Sequence, residues 1–139
     1  MTTRTFPWTF ESAAISSARG PLAIAGLWVL QIAAATLFIM AGSAKLADDP
    51  AMVQVFGAIG VGQWFRYLTG AIEVVGGVLL LVPSLAAWAA LALAVTMIGA
   101  VATHLFVIGG SAASAVVLLA VLAIVAWARK DSLKSGDAH

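Results

Sequence analysis

Long apolar runs dominate this chain, and each one ends at a proline, a glycine pair or a cluster of charge. A helix needs roughly 20 residues to cross the hydrocarbon layer of a bilayer. Four runs reach or approach that length and predict spans at 21–42, 63–82, 85–106 and 112–127. Pro21 suits the first turn of a helix, where its missing N–H is no loss. Lys45, Asp48, Asp49 and Pro50 close the first span. Pro83 and Ser84 mark a tight turn between the second and third; without it a helix over 68–106 would run about 60 Å, twice the bilayer core. Gly109, Gly110 and Ser111 connect the third span to the fourth. The stretch 51–62 is mildly apolar, broken by Gly57, Gly60 and Gly62, and too short to cross. It reads as a surface or re-entrant segment.

The short connections predict an all-α fold, a transmembrane four-helix bundle of up-down-up-down topology. They divide the chain into an N-terminal segment 1–20, a membrane domain 21–128 and a polar tail 129–139. The first apolar run is longer than the core of a secretory signal, so it is expected to stay as a span. Arg4, Arg19, Arg129, Lys130 and Lys134 flank the side of the termini, against Lys45 and Arg66 on the other. That bias puts both termini in the cytoplasm of a bacterial inner membrane. Trp28, Trp64 and Trp127 fall near span ends, as interfacial anchors do.

Composition agrees with lipid as the surrounding medium. The chain is 63% hydrophobic and 9% charged, with a mean hydropathy of +1.07; a soluble domain carries about 25% charge. A net charge of +1 without a basic patch gives no reason to expect nucleic acid. Cysteine is absent, which removes disulfides, thiolate metal sites and any thiol relay within this chain. Asp48 and Asp49 are adjacent rather than at a metal-ligand spacing, so no metal site is expected and the pair reads as a solvated loop.

Against this background one carboxylate stands out. Glu73 lies in the apolar run 68–82, where an ion must find a partner, keep its proton or face water. Its candidate partners are Arg66, two helical turns before it, Lys45 at the end of the first span and His104 at the end of the third. Arg66, Gly70, Glu73 and Gly77 recur at helical spacing and share a stripe on the second span. The glycines leave room there for another helix or a ligand. Glu73 either joins Arg66 or Lys45 to set helix register or, with His104, handles a proton at a binding site. Lys45 either snorkels to headgroups or points inward. His104 is either a hydrogen-bonded structural residue or a proton shuttle, with Thr103 beside it. Gln63, Trp64, Phe65 and Tyr67 crowd the outer mouth of the second span. They serve as anchors or as a stacking and hydrogen-bonding platform for a planar ring such as a quinone head. Lys45, Gln63, Arg66 and Thr103 are thus the candidate ligand contacts, and Glu73 and His104 the candidate proton carriers.

Three segments together resemble the DoxX family of small four-span membrane proteins: LFIMAGSAKL (37–46), GQWFRYLTGAIEVVGGVLLLVP (62–83) and MIGAVATHLF (97–106). The AGxxKL pattern falls on Ala41, Gly42, Lys45 and Leu46, and a GxxExxGG-like pattern on Gly70, Glu73, Gly76 and Gly77. The resemblance implies four spans and a redox setting, with relatives that are membrane subunits linked to quinone or thiol chemistry. A subunit or accessory of a membrane oxidoreductase is therefore expected in preference to a self-contained enzyme, with a quinone as the ligand and a redox protein or homo-oligomer as partner. The alternative is a non-catalytic assembly module, which a closed Glu73–Lys45 or Glu73–Arg66 bridge would suit. A small transporter is disfavoured, because 74–82 and 116–126 offer no polar route.

Overall fold

In a computed structural model of the chain the described residues are 19–134. Most of the expected N-terminal segment, with Arg4 and Glu11, and the last five residues of the expected tail, with His139, lie outside them. The described residues are all-α. They form α1 (Pro21–Leu46), α2 (Pro50–Ile59), α3 (Gln63–Leu80), α4 (Ala86–Thr103), a π-helical turn (His104–Ile108), α5 (Ala113–Ala128) and the short α6 (Asp131–Lys134). Two stretches are long and apolar enough to cross a membrane, Pro21–Leu46 and Ala86–Ile108. The other two expected spans are helices as well. However, α3 carries Arg66 and Glu73, and α5 has only 16 residues.

Helix ends explain the connections. Pro21 opens α1, which runs to Leu46, so Lys45 belongs to its last turn instead of following it. Asp48 takes the left-handed conformation, φ 57°, and Asp49 N–H reaches back to Ala44 O at 3.2 Å, a Schellman-type end. Asp49 then caps α2, its Oδ1 accepting from Ala51 N at 2.9 Å, with Pro50 in the first turn. Gly60, at φ 77°, ends α2. The turn around Pro83 closes with Leu85 N–H donating to Val82 O at 2.9 Å.

The four long helices form a ring in which α1 packs on α3, α3 on α4, α4 on α5, and α5 on α1. Neighbours are antiparallel. Two of these contacts are extensive, α1 with α3 and α4 with α5. The first depends on glycine: a Cβ on Gly42 would lie 2.6 Å from Gly70 O, and one on Gly77 would lie 3.0 Å from Ala35 O. The stripe of small residues on α3 therefore receives α1.

The half of the ring nearest the termini is packed solid, with Leu27, Leu80, Ala89, Ala90, Leu93, Leu122 and Val125 in its core. Gln31, fully buried, ties this half together: its Nε2 donates to Leu80 O at 2.5 Å, and its Oε1 accepts from Arg129 Nε and Nη2 at 3.0 and 2.8 Å. Leu80 O is an end carbonyl of α3 with no partner in its own helix. Arg129 was expected in a free polar tail. It is instead the cap of α5 and a brace to α1, with its guanidinium carbon 5.3 Å from the Trp28 ring centre.

Candidate functional site

The other half of the ring is hollow. A cavity of about 680 Å³ lies between the α1–α3 and α4–α5 pairs, walled by the later turns of α1 and α4 and the earlier turns of α3 and α5. Helix α2 covers it with one stripe, Met52, Val55, Phe56 and Ile59, spaced as one face of a helix. What had read as a surface or re-entrant segment is thus a roof over this space, packed on α1, α3 and the π-helical turn.

Most of the lining is apolar, and the charged part is a single ion pair. Lys45 Nζ lies 2.7 Å from Glu73 Oε2, with side chains 14% and 4% exposed. The close approach of α1 and α3 at Gly42 and Gly70 sets this distance, since a Cβ on Gly70 would come within 3.0 Å of both Gly42 O and Lys45 Cβ. Glu73 Oε1 has no hydrogen-bond partner among the described residues, yet it is not a sealed, unsatisfied atom. It therefore keeps some accessible surface, and Glu73 is among the residues that line the cavity. Two of the three ammonium donors of Lys45 are likewise uncommitted to protein.

Thr103 and His104 also line the cavity. Thr103 Oγ1 donates to Gly99 O at 2.9 Å, which leaves it only as an acceptor. His104 Nδ1 lies 3.1 Å from Gly109 O. A carbonyl only accepts, so Nδ1 carries the proton of the neutral ring and Nε2 keeps its lone pair. The π-helical turn that carries His104 packs against α2; such turns recur at functional sites.

Arg66 and Gln63, expected as ligand contacts, do not line the cavity. Arg66 is 2% exposed, and each of its three guanidinium nitrogens donates to a protein group. Its Nε donates to Gln63 Oε1 at 2.6 Å, its Nη2 to Asp48 Oδ1 at 2.5 Å, and its Nη1 to Lys45 O. Lys45 O is one of the end carbonyls of α1, so the guanidinium finishes that helix and fixes the turn bearing Lys45. Arg66 does not pair with Glu73; the acid takes Lys45. Gln63 Nε2 donates to Val53 O at 3.1 Å and holds α2 to α3. Asp48 lies in the exposed loop between α1 and α2, its side chain 62% exposed, and it has partners there. It accepts from Tyr67 Oη at 2.5 Å as well as from Arg66, and the hydroxyl first, then the guanidinium, hold its carboxyl below the ordinary carboxylate range. The Arg66 guanidinium also sits 4.2 Å from the Tyr67 ring centre.

Among the described residues, an all-helical fold with an apolar cavity under α2 and an ion pair on its wall is the class these features define. The chain matches the DoxX-like family over residues 29–129. It belongs to that family. Among curated proteins it is 31% identical over 78 residues to "Putative oxidoreductase CatD" of Bacillus subtilis (strain 168), a match over 56% of this chain. The chain spans 58% of the length of that relative. No solved structure matches it.

Proposed function

We propose that this chain is a four-span protein of the bacterial cytoplasmic membrane, with both termini on the cytoplasmic side, that holds a quinone head for an oxidoreductase complex. The cavity beside the Lys45–Glu73 pair carries this reading. Its volume falls in the range of ligand pockets, about 300–1,000 Å³. Its surface is apolar enough for a ring, and its polar lining side chains come from α1, α3, α4, α5 and the π-helical turn.

The membrane setting is supported by family membership and by large apolar side chains exposed on every long helix, among them Val29, Val75, Val95 and Val117. Trp64, Trp88 and Trp127 are exposed near helix ends, where interfacial anchors belong. Helices of 18 and 16 residues are short for a core of about 30 Å, a mismatch that local thinning of the bilayer accommodates.

Each polar group has a defined task in this reading. Lys45 Nζ donates to a ring carbonyl, and Glu73 Oε1 accepts from the hydroxyl of the reduced ring. His104 Nε2 takes or returns a proton on the far wall. Electrons come from a partner protein, because this chain has no cysteine to relay them; the name of the relative fits such a redox setting.

One observation favours the assembly module instead: Lys45 and Glu73 already satisfy each other and join α1 to α3. A bridge kept only for assembly would gain by being packed over, and this one fronts open space. The glycine stripe that would have met a partner is also consumed inside the chain. The test is equilibrium binding of a quinone to the protein in lipid nanodiscs. Glu73→Gln and His104→Ala are expected to weaken it; affinity unchanged in both would remove the site from this cavity.

A further inference from the structure

At the end of the bundle away from the termini the cavity is lined by α2, and on its flanks several lining residues are exposed. At the outer end α2 lays its apolar stripe across the space, and Gln63 and the Arg66–Asp48–Tyr67 cluster lock the helix ends around it. Lining residues that are also surface residues lie on α3 and α4, and Leu37 of α1 is another, 51% exposed. Leu68 is 45% and Val95 70% exposed. Gly99 lies one turn after Val95 on α4, with no left-handed backbone to require a glycine. A Cβ added there would meet nothing within 4 Å. Glycines 42, 70, 76 and 77, in contrast, sit where a Cβ would collide with a neighbour. In the membrane these flanks face hydrocarbon.

We infer that the cavity is loaded sideways from the bilayer, through a portal between α3 and α4 at Leu68, Val95 and Gly99. Its occupant is a lipid-dissolved molecule with a polar head and an apolar tail. The head reaches the Lys45–Glu73 pair, and the tail leaves past Gly99 into the acyl chains. A water-borne ligand would find α2 in its way, whereas a lipid-borne one finds a gap lined by a residue without a side chain. Glu73 lines the cavity, and its carboxylate oxygen without a partner among the described residues marks where the head ends. The inference deepens the proposed function: it rests on the membrane setting but does not require that the head be a quinone.

Gly99→Leu tests the portal, because open space at the Cβ lets the protein keep its fold; thermal stability in nanodiscs checks this. Two probes are used. The first is a pair of quinones, one with a prenyl tail and one with methyl groups only. In Gly99→Leu the affinity for the tailed quinone, relative to the tailless one, is expected to fall by about tenfold or more, the scale of forcing groups into filled space. An unchanged ratio overturns the portal. The second probe is a fatty acid bearing a photoreactive group near its methyl end, incorporated in the bilayer. It is expected to label cavity residues such as Thr69 and Leu118 in the wild type and much less in Gly99→Leu. No label inside the wild-type cavity overturns the portal whatever the quinones do. Labelling without binding of either quinone leaves the portal standing and removes the quinone reading.

Discussion

Lys45 and Glu73 meet at 2.7 Å across two helices that approach each other only because Gly42 and Gly70 have no side chains. The contact is therefore written in two places, in the ions and in the glycines four or fewer residues from them. Both are open to substitution.

Removing one ion is expected to cost far more than removing both. Lys45→Met leaves a carboxylate buried without its partner, a loss of about 3–5 kcal/mol. Adding Glu73→Leu is expected to return the protein to within about 1 kcal/mol of the wild type, since well-packed apolar replacements of buried pairs are commonly neutral. Denaturant unfolding in detergent on the single and double variants checks the difference.

Two glycine variants are expected to move in opposite directions. Gly42→Ala drives a Cβ to within 2.6 Å of Gly70 O and 2.8 Å of Val74 Cγ2, so it should destabilise by about 1–3 kcal/mol, the cost of overpacking. Gly99→Ala meets open space and should be neutral or stabilise by up to about 1 kcal/mol, the helix preference for alanine. Paired thermal scans give the sign of each.

Gln31 was not singled out by the sequence, yet three helices meet on it. Gln31→Leu strands Leu80 O and the Arg129 guanidinium, and a loss of about 1–3 kcal/mol per stranded group is expected. The same unfolding experiment checks it, and Arg129→Ala should cost less, because the amide then keeps Leu80 O.

The four long helices were legible because long apolar runs and breakers such as Pro21, Pro83 and Gly109 act locally. That Glu73 needs a partner was legible for a related reason: a carboxylate in an apolar run has no inexpensive place to go. The pairing was less so. Arg66 shares a helical stripe with Glu73, but it is drawn to the unsatisfied end of α1 and to Asp48, groups whose positions depend on how α1 ends. Asp48 reads as loop and is one, but nothing in the sequence says that the turn takes a left-handed residue there and brings its carboxylate to Arg66 and Tyr67 of α3. A single amide in an apolar span gives no periodic signal, so the role of Gln31 needs the neighbouring helices to be seen. The cavity was the least legible feature. It arises from α1–α3 and α4–α5 parting where α2 covers them, a tertiary relation without a local pattern.

Acid is expected to loosen the outer brace late. The Asp48 carboxyl is held below its ordinary value by the Tyr67 hydroxyl and the Arg66 guanidinium. A group with a depressed folded pKa adds stability above its unfolded pKa and loses it as pH falls through the folded one. The brace should thus persist at about pH 4, where free aspartate is half protonated, and weaken only below it. Asp48→Asn should abolish that part of the acid limb in a stability-versus-pH series.

The most direct test uses the double variant Lys45→Met/Glu73→Leu, whose fold the account expects to survive. Titrating the nanodisc-embedded protein with a tailed quinone should give saturable binding for the wild type and none for the folded double variant. Undiminished binding by that variant would contradict the claim that the Lys45–Glu73 pair receives the ligand head.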